Sequence, residues 1–174
     1  LMGIALVSGL ISAAWWSFGS VLLRQHVGVD AESARLLWLI AGGAGIAGVL
    51  TGPLAARIGL NGVYRLALCG MAVPLLVLAL SRGDSAGLMV AVACCGAGYV
   101  TLSGVLLVWG AQATADDPAT GVGMLFFMLA AGQVVGSLLF GQLYAALGAV
   151  TALTLFAASA LLLLFVAPRR VKAP

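Results

Sequence analysis

Six long apolar runs, separated by short segments that carry most of the charges, constrain the fold of this chain more than any other feature. The runs cover residues 3–23, 34–56, 63–81, 86–109, 119–144 and 147–167. A helix that crosses a bilayer needs about 20 predominantly apolar residues. Strands of a membrane barrel alternate apolar and polar side chains, and these runs do not. The pattern therefore predicts an all-α membrane protein whose residues 1–174 form a single bundle of six transmembrane helices.

The share of charged residues favours a membrane over water as the solvent. Only 7% of the residues are charged and 63% are hydrophobic, whereas a soluble domain carries roughly 25% charged residues. A soluble fold of this composition would have too little polar surface to cover itself. Since the net charge of +3 is spread along the chain, we expect the lipid bilayer as a partner and no nucleic acid.

The distribution of basic residues predicts where the two ends of the chain lie. Six crossings place both ends on one side of the membrane, together with Arg57, Arg65, Arg169, Arg170 and Lys172, and leave Arg24, Arg35 and Arg82 on the other side. Because cytoplasmic loops are enriched in basic residues, both ends are expected in the cytoplasm of a multi-pass protein of the cell membrane (the inner or plasma membrane). The last three basic residues would contact anionic headgroups.

The first apolar run begins directly after Leu1, with no basic region before it. This start argues against a signal peptide, in which a positively charged segment precedes the apolar core. Because the chain opens on Leu1 rather than on a start methionine, we expect it to be a fragment or domain of a longer protein.

A few polar residues and prolines predict where helices begin or bend. Asp117-Pro118 supplies an N-cap and a proline at the first helical position, which opens the fifth helix. Asp30 or Ser33 is expected to cap the second helix. Pro74 lies inside the third helix, where membrane proteins tolerate a kink.

One octapeptide occurs in two versions, each at the end of a predicted helix. GPLAARIG (52–59) ends the second helix and GQLYAALG (141–148) ends the fifth. The two copies lie three helices apart and so point in opposite directions, as in transporters built from a 3+3 inverted repeat. The alternative is chance similarity in a chain rich in Gly, Leu and Ala. The gap after the second copy is so short that a tight hairpin is predicted at Gly148.

Small residues recur at a spacing of four on two of the predicted helices. They are Ala44, Gly48 and Gly52 in the second helix, Gly132 and Gly136 in the fifth, and Ser137 and Gly141 beside them. Such stripes let two helix backbones approach closely. Small residues at this spacing are compatible both with a static bundle and with a bundle whose helices slide against each other.

The stretch GVLTGPLAARIG (48–59) resembles the signature that major facilitator superfamily transporters carry at the end of the second helix of each half. Gly52, Arg57 and Gly59 match it, and Ala56 stands where an acidic residue is usual. Residues 96–143 resemble the penultimate helix pair of bacterial members, and the resemblance to the superfamily covers the whole chain. The subgroup that it suggests is the YbfB/YjiJ-like bacterial transporters.

The resemblance implies a C-terminal six-helix half whose partner is an N-terminal six-helix half of the same transporter. It implies that the first and fourth helices line a central cavity, the second and fifth flank it, and the third and sixth face lipid. Packing or gating roles are then expected for Gly48, Gly52, Arg57, Gly59, Gly132, Gly136 and Gly141. The implied function is secondary active transport of a small solute by alternating access.

Several polar and aromatic residues inside the runs are candidates for contact with a solute. They are Ser12, Trp15, Trp16, Tyr99, Ser103, Gln133 and Ser137. Polar groups at membrane depth usually face the interior of the bundle. A serine there can instead bond to the preceding turn of its own helix. Gln133 is the strongest candidate, because a buried amide has several hydrogen bonds to satisfy.

Other functions are less consistent with the residues present. An intramembrane serine protease needs a base on a nearby helix beside its nucleophile, and no histidine or lysine lies inside the six runs to accompany Ser103. Asp30, Asp84, Asp116 and Asp117 all fall between runs, which argues against an aspartyl protease. We expect no enzyme, no catalytic residues, no cofactor and no metal. A membrane scaffold or receptor that does not transport remains an alternative.

Overall fold

The computed structural model describes residues 1–83, 85–114 and 116–166, and the regular structure in this part of the chain is helical throughout. The α-helices are α1 (Met2–Trp16), α2 (Gly19–Val21), α3 (Ala31–Ala44), α4 (Thr51–Leu80), α5 (Ala86–Ala113) and α6 (Pro118–Leu163). A π-helical turn (Leu22–Val27) follows α2, and a 3-10 segment (Gly45–Leu50) joins α3 to α4. Asp84 and the basic cluster Arg169, Arg170 and Lys172 lie outside the described residues.

Four helical stretches are long and apolar enough to cross a membrane. They are Met2–Val27, Ala31–Leu80, Ala86–Ala113 and Pro118–Leu163. The prediction of an α-helical membrane protein is confirmed at this level. The second and fourth stretches contain 50 and 46 residues, so each would measure roughly 70 Å if it were straight. That length is more than twice the thickness of the hydrocarbon core, about 30 Å.

Each of the two long stretches is interrupted by one glycine with a non-helical backbone. Gly59 has φ 74° and ψ 159°, and Gly148 has φ 82° and ψ 170°. The rings of Phe140 and Phe156 are only 5.1 Å apart, whereas an unbroken helix would separate the two positions by about 24 Å. The chain therefore folds back at Gly148, where the sequence predicts a hairpin.

The segment 57–65 differs from its prediction. The sequence indicates a polar separator there, but α4 is helical on both sides of Gly59. The segment contains no proline, and Arg57 is exposed at its start. A single glycine is therefore enough to break the helix, and the remaining residues continue it.

Side-chain caps fix three helix starts. The Asp30 carboxylate accepts a hydrogen bond from the Ser33 amide at 3.0 Å, and the Asp117 carboxylate accepts one from the Thr120 amide at 3.4 Å. Hydrogen bonds from Ser33 and from Thr120, respectively, lower the pKa of the two carboxyls. The Ser85 hydroxyl accepts from the Leu88 amide at 3.2 Å. The predicted start of a helix at Asp117-Pro118 is confirmed, and Asp30 rather than Ser33 caps α3.

The helices are held together at positions without side chains. A Cβ on Gly9 of α1 would collide with the carbonyl oxygen of Leu129 on α6. A Cβ on Gly132 of α6 would collide with the carbonyl oxygen of Leu6. In the same way, Gly96 of α5 leaves no room for a Cβ beside the carbonyl oxygen of Ala41 on α3. These contacts let helix backbones approach closely enough for van der Waals packing. In lipid, such packing holds helices together because the hydrophobic effect between them is weak.

Candidate functional site

A small polar cluster lies where α1, α5 and α6 meet. The Gln133 amide nitrogen Nε2 donates to Ser12 Oγ at 3.0 Å and to Tyr99 Oη at 3.0 Å. Ser12 and Tyr99 lie near the middle of the stretches Met2–Val27 and Ala86–Ala113, and Gln133 lies near the middle of the part of α6 that precedes Gly148. Three of the residues predicted from the sequence are thus brought together from three different helices.

Glycine contacts between α1 and α6 make this cluster possible. Gly132 precedes Gln133 directly, and its lack of a side chain lets the α6 backbone touch that of α1 near Leu6. Ser12 lies one turn beyond Gly9 and donates to the Gly9 carbonyl at 2.7 Å, which fixes its hydroxyl. The Ser12 oxygen is thereby within reach of the amide of Gln133.

The cluster has free hydrogen-bonding capacity. Both N–H groups of the Gln133 amide are used, while its carbonyl oxygen accepts from none of the described residues and is not among their enclosed atoms. The Tyr99 hydroxyl accepts from Gln133, so its own proton remains available. The arrangement therefore offers one acceptor and one donor to a molecule that reaches it.

An aromatic wall adjoins the cluster. The Trp16 ring is 5.2 Å from the Tyr99 ring and 5.8 Å, edge-on, from the Trp38 ring. Trp15 is buried and stacks on Trp38 at 5.2 Å. Neither the Trp15 nor the Trp16 indole N–H has a hydrogen-bond partner within the described part of the chain. The wall can cover an apolar or aromatic face of a ligand.

Two further members of the site are not among the sequence predictions. Trp38 was missed, and its signal in the sequence is that it is the one aromatic residue in the apolar run 34–56. Ser17 was missed as well. Its hydroxyl is 2.6 Å from that of Ser137. Because Ser137 donates to the backbone carbonyl of Gln133 at 2.8 Å, Ser17 is the donor of this pair.

Ser103 and Ser8 stay apart from the cluster. The Ser103 hydroxyl donates to the Tyr99 carbonyl of its own helix at 2.9 Å, which is the local alternative that the sequence left open. Ser8 is fully buried, and its hydroxyl has no partner among the described residues.

The predicted packing and gating residues fall into two groups. Gly132 and Gly136 meet the α1 backbone, a Cβ on Gly48 would lie 2.5 Å from Val100 Cγ1, and a Cβ on Gly141 would lie 3.2 Å from the Phe18 ring. Around Gly52 and Gly59 a Cβ would meet nothing within 4 Å, and Arg57 is exposed. A Cβ would therefore collide with backbone at Gly132 and Gly136 and with a side chain at Gly48, and it would lie tightly against a side chain at Gly141, whereas Gly52 and Gly59 have open surroundings.

Within the described ranges, no three His, Cys, Asp or Glu side chains come close enough to hold a metal ion. Comparisons with protein-family models, with curated proteins and with solved structures found no match to this chain.

Proposed function

We propose that this chain is a transport domain that moves a small solute across the cell membrane by alternating access. In this proposal the chain crosses the bilayer six times, as two triplets of helices in inverted orientation, with both ends in the cytoplasm. The solute binds at the cluster of Ser12, Tyr99 and Gln133. The resemblance to the major facilitator superfamily suggests that an N-terminal six-helix half completes the transporter.

The direction of helix packing supports six crossings. Ser12 pairs with Gln133 and Ser17 with Ser137, so α1 and the first part of α6 run parallel. If each of the four long stretches crossed the membrane once, the chain would reverse direction three times between α1 and α6, and these two helices would be antiparallel. A further reversal is needed, and the non-helical Gly59 lies within the 50-residue stretch where it must occur.

The pattern of buried residues supports a repeat. The shift that carries Gly59 onto Gly148 also carries Val63, Tyr64, Ala67, Leu68 and Met71 onto Ala152, Leu153, Phe156, Ala157 and Ala160, and all ten are buried. The shift that carries Gly9 onto Gly96 carries Ile4, Ala5, Ser8, Ile11 and Trp15 onto Ala91, Val92, Cys95, Gly98 and Leu102, which are likewise all buried. This agreement of buried positions favours a repeat over chance similarity in composition.

One relation between two helix contacts carries the proposal. Gly9 lies against the Leu129 carbonyl, and Gly96 lies against the Ala41 carbonyl. An offset along the sequence relates Gly9 to Gly96, and an offset one residue longer relates Ala41 to Leu129. In the proposed repeat, each of the two contacts is therefore the equivalent of the other. In this proposal the second helix of each triplet packs against the first helix of the other triplet. Such an arrangement is expected when an inverted repeat forms one bundle.

A second pair of contacts exchanges in the same way. A Cβ on Gly48 would lie 2.5 Å from Val100, and a Cβ on Gly136 would lie 2.9 Å from the Cβ of Ala13. The offset that relates Gly9 to Gly96 also relates Ala13 to Val100. The offset that relates Ala41 to Leu129 also relates Gly48 to Gly136. In the proposed repeat, the relation between the two contacts therefore includes a second turn of each helix pair.

The properties of the site favour binding of a solute over a purely structural role. A hydrogen-bonded polar cluster at membrane depth is costly and usually marks a pathway or a binding site. The free acceptor on Gln133, the free proton on Tyr99 and the Trp16 wall suit a small solute with one hydrogen-bonding end and one apolar face. No charged side chain takes part in the hydrogen bonds of this cluster.

Reconstitution tests the proposal directly. The protein in its natural full-length context is inserted into liposomes, and uptake is measured for a panel of labelled small solutes under gradients of protons and sodium. Uptake of at least one solute above that of protein-free liposomes, abolished when the gradient collapses, is expected. Folded protein without flux of any solute would favour a scaffold or receptor instead.

A further inference from the structure

We propose that a cavity between the end of the first helical stretch and the start of α3 binds the anionic group of an amphipathic ligand. The cavity has a volume of about 470 Å³. Arg24 and Arg35 line it together with Trp38, Leu39, Ala34 and Ser20. It does not include the Ser12, Tyr99 and Gln133 cluster, and the inference does not rest on transport.

The charges that line this cavity are of one sign. Two arginines line it and no acidic residue does. Asp30 lines an adjoining cavity with Arg24, and its carboxylate already accepts the Ser33 amide. Glu32 lies in the first turn of α3 but is not among the residues that line the cavity. A guanidinium matches the geometry of a carboxylate or phosphate with two parallel hydrogen bonds. An anion is therefore the ligand group that this cavity suits.

The remaining walls of the cavity are apolar. Trp38, Leu39 and Ala34 face the same space as the arginines. Trp38 is held in place by stacking on Trp15, and Gly19 leaves room for its ring, since a Cβ there would lie 2.5 Å from it. A rigid indole beside two guanidiniums suits a ligand whose anionic group is attached to an aromatic or aliphatic body.

The backbone around Arg24 is also unusual. Arg24 lies in the π-helical turn Leu22–Val27, and the chain leaves this turn at Gly28 with φ 85°. π-helical turns are rare and frequently occur at functional sites. The turn and the capped start of α3 therefore fix the two arginines on adjoining segments of one bundle end.

Two sources of the anionic group share this chemistry: the phosphate of a lipid headgroup and a dissolved aromatic anion. The test uses the full chain in nanodiscs of phosphatidylcholine, with tryptophan fluorescence as the readout because Trp38 lines the cavity. Phenylphosphate is titrated, and benzyl alcohol serves as the neutral probe of similar size. A saturable change is expected with phenylphosphate only, and it is expected to weaken as salt is added, because both arginines are exposed.

The variants Arg24→Gln and Arg35→Gln should each weaken phenylphosphate binding about tenfold, the usual scale for loss of a charged hydrogen bond. Arg82→Gln is the matched control, because Arg82 lies at the same end of the bundle but outside the cavity. Unchanged binding in both cavity variants, or equal responses to phenylphosphate and benzyl alcohol, would overturn the proposal. Thermal unfolding verifies that each variant is folded.

A second arm identifies the source of the anion. Phosphatidylglycerol is added to the nanodiscs at increasing fractions. If a lipid headgroup occupies the cavity, phenylphosphate binding to the wild-type protein falls, whereas the residual binding of the Arg35→Gln variant changes less. If the ligand is a dissolved anion, the lipid leaves the ratio between the wild type and the variant unchanged. Either result supports the anion site and assigns its source.

Discussion

Gly59 and Gly148 adopt nearly the same backbone conformation, with φ 74° and ψ 159° in one and φ 82° and ψ 170° in the other. They are the last residues of the two related octapeptides, and each interrupts a helical stretch that is too long to be one crossing. This region of φ and ψ is essentially restricted to glycine. The similarity between the octapeptides thus has a physical content, since both copies end with the residue that permits a break.

Substitution of either break glycine should strain the backbone without any steric clash. A Cβ on Gly59 or Gly148 would meet nothing within 4 Å, so Gly59→Ala and Gly148→Ala test the backbone alone. We expect each to lower the free energy of unfolding by about 1–3 kcal/mol, measured by denaturant titration in detergent micelles. Gly123→Ala is the control, because Gly123 is helical and has equally open surroundings. Equal stability of the control and the two variants would contradict the assignment.

The close backbone contacts should be sensitive to a single methyl group. Gly9→Ala and Gly96→Ala each place a Cβ against a carbonyl oxygen of the neighbouring helix. We expect both to destabilise the protein by about 1–3 kcal/mol, the usual cost of overpacking. The two losses should be similar, because the contacts are equivalent in the proposed repeat. A marked loss in one variant and none in the other would argue against that equivalence.

Sequence reasoning identified the apolar helices, the cap at Asp117 and the break at Gly148, because each of these depends on residues close together in the chain. It also selected Ser12, Tyr99 and Gln133, since an uncharged polar residue inside an apolar run stands out. It did not select Trp38 or Ser17. Their roles depend on which helices pack together and at what register, and in a chain so rich in Gly, Ala and Leu many registers have a similar apolar pattern.

The segment 57–65 shows a second limit of sequence reasoning. Its two arginines and Asn61-Gly62 indicate a loop, yet the residues after Gly59 are helical. Charges at the end of a membrane helix are compatible with helix because long side chains extend to the headgroups. Polarity alone therefore does not predict the end of a helix.

The capped helix starts should lose stability in acid. Hydrogen bonds from Ser33 and Thr120 hold the pKa of Asp30 and of Asp117 below the ordinary value. A carboxyl with a lowered pKa in the folded state stabilises the fold above its unfolded pKa, near pH 4, and this contribution disappears as the pH falls through the lower folded value. We expect the unfolding temperature to drop between about pH 5 and pH 2. The double variant Asp30→Asn and Asp117→Asn, which keeps a capping oxygen but no charge, should show a smaller drop. An identical pH profile in both proteins would exclude these carboxyls as the cause.

The hydrogen bonds of Gln133 should matter for solute affinity more than for stability of the fold. Gln133→Ala removes the donor shared by Ser12 and Tyr99 and also the free acceptor, so we expect a rise in the apparent KM for uptake of about tenfold, the scale of one or two lost hydrogen bonds. Tyr99→Phe removes the free proton and the acceptor of one Gln133 N–H but keeps the Gln133 side-chain oxygen, so it should have a smaller effect. Val134→Ala is the matched control, because Val134 is adjacent in sequence and 65% exposed on the outer face of α6. The readout is initial-rate uptake of a transported solute in proteoliposomes, with the folded fraction measured by size-exclusion chromatography. If Gln133→Ala and Val134→Ala have the same KM while both are folded, the cluster is a packing feature and the solute binds elsewhere.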